Sequence, residues 1–180
     1  TARAYIEKTG AKVVGDEYLP FTVDNFDASL ARIRDSGADA VLVSLVGGAS
    51  VTFNKSFASF GLSDKAIRLG TLIEENTLAG IGFANARNLY SSSGYFANID
   101  TPAAKAFAAD YAKANGANVP ALNGLAESTY EGFLMLEALA KKAGSLDPAK
   151  LDAASEGTTY DGPRGAVTVK ARHVEQDIYV

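Results

Sequence analysis

The sequence predicts an α/β protein, a Rossmann-like parallel sheet flanked by helices. Three observations carry that prediction. Segments rich in β-branched residues alternate with helical spacings through the first hundred residues. The run DAVLVSLV (39–46) is nearly all apolar, as a strand covered on both faces should be. The connections between segments are short, which suits strand–helix–strand crossovers.

Residues 1–10, TARAYIEKTG, read as helical from the first residue, with no strand and no N-cap signal before them. AKVVGDEYLP (11–20) is β-branched, partly alternating and closed by Pro20, which predicts a strand. Phe26, Leu30 and Ile33 then recur at helical spacing, with Asp24 as N-cap and Gly37 as stop. After the 39–46 strand, Gly47 and Gly48 turn the chain into a helix carrying Val51, Phe53, Phe57 and Phe60, ended by Gly61. AIRLGTL (66–72) predicts a shorter strand, residues 76–83 a brief helix, and NLYSSSGYF a fourth strand.

After Asp100 the rhythm breaks. Thr101 or Asp100 caps a helix with Pro102 at its first position, where proline costs least. A longer helix over 122–143 puts Leu125, Phe133, Leu136 and Ala140 on one side and ends in Lys141, Lys142 and Gly144. Asp147-Pro148 opens a third helix. TTYDGPRGAVTVKA reads as a turn followed by a strand, and QDIYV as a strand cut short.

At 180 residues, 47% apolar and 21% charged, the chain is globular and long enough to bury a core. Its net charge of −4 is mild, and Lys and Arg are scattered, which argues against a nucleic-acid partner. No stretch reaches the roughly eighteen apolar residues of a membrane helix, and none reads as a signal peptide. With no cysteine there is neither disulfide nor thiol chemistry. A crossover helix needs a strand to cross from, and Val180 interrupts an apolar alternation. The chain is therefore expected to be a piece of a longer protein.

YFANIDTPAAKAF (95–107), AESTYEGFLMLEALAKKAG (126–144) and TYDGPRGAVTV (159–169), in this order after the α/β half, resemble a known family. They are similar to the type I solute-binding proteins of ABC importers, nearest the branched-chain amino acid, amide and urea group. The resemblance spans essentially the whole chain and implies an incomplete type I periplasmic-binding-protein fold. Residues 1–93 would be the second α/β lobe without its first strand. Residues 94–157 would be a hinge crossing plus helices of the first lobe, and 158–180 a truncated return to the second lobe. It further implies a non-catalytic subunit that traps a small amide-like, urea-like or amino-acid-like solute between two closing lobes. The expected partners are that ligand and ABC permease subunits in the membrane, with no cofactor. The expected location is the periplasm, or the cell exterior with a lipid anchor. With most of one lobe absent, weak ligand binding, exposed apolar helix faces and self-association are expected.

Site residues follow on the same footing. The turn SLVGGAS (44–50) follows a buried strand and opens a helix; spacing alone favours a plain tight turn there. The resemblance makes Gly48 and Ala49 ligand-binding through free backbone N–H groups. Amino-acid binders of the group place an aromatic after the paired glycines, against the ligand's ammonium. Ala49 departs from that pattern, which leaves room for an amide, a urea or another small polar solute. In GTLIEEN (70–76) adjacent acids read alone as a solvated helix start. The resemblance makes Glu74, with Glu75 in reserve, an acceptor for ligand N–H groups, and Thr71 adds a hydroxyl. Of the neighbouring aromatics Tyr95 and Phe96, Tyr95 suits a polar ligand better. His173, the only histidine, reads as a surface residue.

An enzyme finds little support. There is no G-x-S-x-G elbow, P-loop or H-E-x-x-H, and GIGFAN (80–85) lacks the third glycine of a dinucleotide fingerprint. Two alternatives remain: a ligand-sensing regulator or receptor domain of the same fold and, more distantly, a small α/β enzyme.

Overall fold

A computed structural model describes residues 2–116 and 119–180. The chain divides into two compact units, one running to Ile73 and again over Thr77–Ser91, the other comprising Glu74–Asn76 and Ser92–Val180.

The first unit has the expected parallel α/β order. Helix α1 (Ala2–Lys8) buries no residue. Helix α2 (Asp27–Ser36) stops at Gly37, whose φ of 67° is left-handed. Strand β1 (Ala40–Val43), helix α3 (Gly47–Ser59), strand β2 (Ile67–Gly70), helix α4 (Glu75–Ile81) and strand β3 (Leu89–Ser91) follow. The sheet runs β1-β2-β3, parallel throughout, with Leu42, Leu69 and Tyr90 in register. Its core joins Phe26 and Leu30 of α2 to Phe53 and Phe57 of α3, with Val43, Leu62 and Ala66. Phe26 meets Phe53 edge-on at 5.4 Å.

Three local expectations fail here, each for a physical reason. Residues 11–20 form no strand: among the described residues nothing pairs with them, and Val14 and Tyr18 lie exposed. β propensity alone makes no ladder. β1 is covered on one face only, since Leu42 is exposed beside Ile67, Leu69 and Tyr90 of its neighbours. At the start of α2 it is Asn25 rather than Asp24 that acts, its Oδ1 accepting from the Asp27 N–H at 2.9 Å.

Arg68, on the central strand, is fully buried. Its guanidinium donates to the Asn54 Oδ1 at 2.8 Å and carbonyl at 3.2 Å, and to the carbonyls of Asn85 at 2.9 Å and Arg87 at 2.7 Å. Its carbon lies 4.6 Å from the centre of the Phe57 ring. Burial lowers its pKa to about 10, so the side chain stays charged at neutral pH.

In the second unit, helix α5 (Pro102–Asn115) starts as expected, with Thr101 Oγ1 accepting from the Ala104 N–H at 3.1 Å. Helix α6 (Gly124–Ala143) is capped by Asn123, and helix α7 (Pro148–Ala154) by Asp147. Strands β4 (Thr159–Gly162), β5 (Gly165–Lys170) and β6 (His173–Glu175) form an antiparallel meander. The expected lone strand is thus a hairpin, turned at Pro163-Arg164. In place of QDIYV as a strand, Tyr179 makes a single antiparallel bridge to Ser93. Residues 158–180 group with 92–157 and not with the first unit, because the hairpin packs on α6 through side-chain bonds to Glu131.

The apolar stripe of α6 is turned outward: Leu125 is 75% exposed and Phe133 69%, while Glu127 and Glu131 are buried. Replacing Arg68 with methionine should lower stability by about 2–4 kcal/mol, since several buried carbonyls would lose their donor together. Urea unfolding followed by far-ultraviolet circular dichroism checks this, as the chain has no tryptophan.

Candidate functional site

Parallel strands bring their carboxyl ends to one edge, and the loops that leave that edge are where α/β sheets place ligands. In the first unit this edge holds Ser44, just after β1, and Thr71, just after β2, both exposed. Their hydroxyl oxygens are 3.0 Å apart, and the Thr71 N–H donates to the Val43 carbonyl at 3.1 Å. Gly70 permits the turn, because a Cβ there would overlap the Ile73 side chain. Gly47 starts α3 at φ 57°, a left-handed conformation suited to glycine. The N-cap residue Val46 offers no side-chain acceptor, so the first turn of α3 lacks a side-chain cap. Gly48 is exposed, with nothing within 4 Å of where a Cβ would sit, and Ala49 is half-buried against the core. Gly48, Ala49 and Thr71 are therefore on the same unit, with Ser44 added.

The other three expected residues lie in the second unit and are drawn into its interior bonding. Glu74 Oε2 accepts from the Asn76 N–H at 2.9 Å, Asn76 Nδ2 at 3.1 Å and Asn123 Nδ2 at 2.8 Å. Asn76 in turn pairs with the backbone of Ala121 through both its side-chain atoms, at 3.0 and 3.1 Å. Glu75 Oε1 accepts from the Ala97 N–H at 2.6 Å, while its Oε2 is buried without a hydrogen-bond partner among the described residues. Neither acid is a solvated helix start.

Tyr95 is 1% exposed, packed with Ile99, Ala104 and Leu122, and edge-on to Phe107 at 6.4 Å. It is not on a strand, since β3 ends at Ser91, short of the strand expected over NLYSSSGYF. Its hydroxyl has no hydrogen-bond partner among the described residues, and burial, then Glu127 and Glu75, push its pKa up to about 12.

Sequence reasoning missed the polar centre of this unit. Arg164 Nε donates to Glu127 Oε1 at 3.2 Å and lies 2.8 Å from Glu131 Oε2, and its Nη2 pairs with Glu127 Oε2. Ser128 Oγ accepts from Nη2 at 2.6 Å and Gln176 Oε1 from Nη1 at 2.7 Å. The signal available was the four-residue spacing of Glu127 and Glu131, which puts both acids on one helix face opposite Leu125 and Leu136. None of the six expected residues lines the open groove of about 590 Å³ that runs along α6 and β4 past Glu137, Lys141 and Tyr160. Among the described residues no cluster of three His, Cys, Asp or Glu side chains would hold a metal ion, and no helix is long and apolar enough to cross a membrane.

A family model described as periplasmic binding protein matches residues 1–180. A Leu/Ile/Val-binding protein homolog from Brucella melitensis is 30% identical over 99% of this chain and 47% of its own length. A solute-binding protein of an ABC transporter from Rhodopseudomonas palustris, solved with p-hydroxybenzoic acid, superposes with a TM-score of 0.87. It is 28% identical over 98% of this chain and 49% of its own. Another from the same species, solved with 3,4-dihydroxybenzoic acid, has a TM-score of 0.74 and 29% identity, covering 89% of this chain and 45% of its own. The chain spans about half the length of the relatives it matches.

Asn123→Ala removes the acceptor for the Leu125 and Ala126 N–H groups and one donor to Glu74. It should cost about 1–2 kcal/mol, read as a lower midpoint in urea, whereas Asn123→Ser should restore the cap without the bond to Glu74.

Proposed function

The chain belongs to the periplasmic binding protein family, and from that premise we propose that it is the solute-capturing part of an ABC importer's binding subunit. The whole protein works in the periplasm or on a lipid anchor, catalyses no reaction, and presents its loaded form to permease subunits. Capture is by closure of two lobes about a hinge. Residues up to 93 belong to one lobe, 94–157 to the crossing and the other lobe, and the 158–180 strands go with those helices.

The observation that carries this reading is the Ser44–Thr71 hydroxyl pair beside the uncapped first turn of α3. Hydroxyls and backbone N–H groups converging at a helix start suit an anionic group, and bonds to an ionised acceptor are the stronger kind. A carboxylate is what a branched-chain amino acid and a hydroxybenzoate have in common. We assign the solute as a small carboxylic acid, its carboxylate bound by Ser44, Thr71 and the N–H groups of Gly48 and Ala49. Ala49 provides no ring for an ammonium group, which favours a simple or aromatic acid over an α-amino acid. An amide or urea would use the same donors without the charge. Glu74 acts as a positioning residue through Asn76 and Asn123.

Equilibrium titration of the purified protein with 4-hydroxybenzoate, benzoate, leucine, acetamide and urea tests the assignment. The carboxylates should bind, and Thr71→Val should weaken them about tenfold, the worth of one charge-assisted bond. Its unfolding midpoint should stay unchanged. Binding of acetamide or urea alone, or an unaltered affinity in the variant, would overturn it.

A further inference from the structure

We propose that Glu127 and Glu131 hold one proton between them around neutral pH, and that this proton latches α6 to the β4–β5 hairpin. Glu127 is 0% exposed, Glu131 2% and Arg164 8%, so two carboxylates face one guanidinium out of water. With both acids ionised the cluster has a net charge of −1, and an uncompensated buried charge is costly enough that the group neutralises instead.

Donor counting gives the same answer independently. Arg164 Nε has a single hydrogen, yet Glu127 Oε1 at 3.2 Å and Glu131 Oε2 at 2.8 Å both approach it. Nη2 serves Glu127 Oε2 and Ser128, and Nη1 serves Gln176. Glu131 also accepts from the Arg164 N–H at 3.3 Å and from the Tyr160 hydroxyl at 3.3 Å. A carboxyl proton supplies the donor that the shared Nε–H lacks. Gly162 makes room for this, because a Cβ there would overlap the Glu131 carboxylate.

Among the described residues no second cation bonds to the pair. Tyr160 faces the pair from β4 and Tyr95 faces Glu127 from the 92–101 segment, with Glu75 acting on Tyr95, while the Tyr179 hydroxyl donates to the Arg164 carbonyl. The neighbouring Glu131 carboxylate favours keeping the proton on Glu127. Burial first, and the neighbouring Glu131 next, push Glu127 up to about 8 from an ordinary 4.5. The folded state then holds a proton that the unfolded chain releases. The stability this provides is complete below about pH 4.5 and is lost as pH rises through about 8.

Two measurements on the chain test the proposal. Infrared difference spectra with carbon-13-labelled glutamate should show a protonated carboxyl C=O band at pH 7 that disappears above about pH 8 and is missing in Glu127→Gln. Urea unfolding from pH 5 to pH 8 should show the wild-type unfolding constant rising faster than that of Glu127→Gln, by up to tenfold per pH unit for one linked proton. The infrared arm needs only the wild type and so stands even if the variant fails to fold. No protonated carboxyl at pH 7, or equal slopes for wild type and variant, would overturn the latch.

Discussion

A positive charge sealed inside the first unit sets the terms for the rest of it. Arg68 sits on the central strand with no carboxylate bonded to it among the described residues; its solvation comes from oxygens of Asn54, Ser63, Asn85 and Arg87 and from the Phe57 ring. A guanidinium can be held this way because its donors are fixed in a planar fork, so each acceptor must come to it. The C-terminal half of α3, the turn before β2 and the connection into β3 are thereby tied to one side chain. Where β2 ends, and so where Thr71 emerges beside Ser44, follows from that anchoring. The second unit solves the opposite problem, with two buried acids facing the buried guanidinium of Arg164, and Arg164 links α6 to the hairpin as Arg68 links α3 to the sheet.

Much of the fold was legible in the sequence. The parallel order of β1, β2 and β3 follows from short connections, and α5 and α7 begin where Thr101-Pro102 and Asp147-Pro148 predict. What failed depended on partners. Residues 11–20 have the composition of a strand, but a strand exists only through a ladder, and none reaches them among the described residues. On α6 the periodicity correctly separated two faces and could not say which turns inward. Leu125 and Phe133 would ordinarily decide that. Here Glu127 and Glu131 are inside because Arg164, which lies 33 residues beyond Glu131 in the chain, comes to meet them.

The expected site divides along the same line. Gly48, Ala49 and Thr71 fall at one edge because parallel topology brings the loops after the strands there, whereas a ligand-binding role for Gly48 and Ala49 is what the resemblance implies. Ser44 lies in the same turn, and its 3.0 Å approach to Thr71 is something no local pattern encodes. Glu74, Glu75 and Tyr95 were assigned by resemblance. Their structural setting adds something no motif conveys: Glu74 organises Asn76 and Asn123, and Tyr95 is a core aromatic whose hydroxyl is unpaired among the described residues.

The central claim is that the solute is recognised at the carboxyl ends of β1 and β2 through its carboxylate. Mapping backbone amide shifts of the isotope-labelled chain during titration with 4-hydroxybenzoate, carried to millimolar excess, tests it most directly. Shifts centred on Ser44, Gly48, Ala49 and Thr71 are the expected result. An unchanged spectrum at those positions, or shifts confined to the groove along α6 and β4, would contradict it.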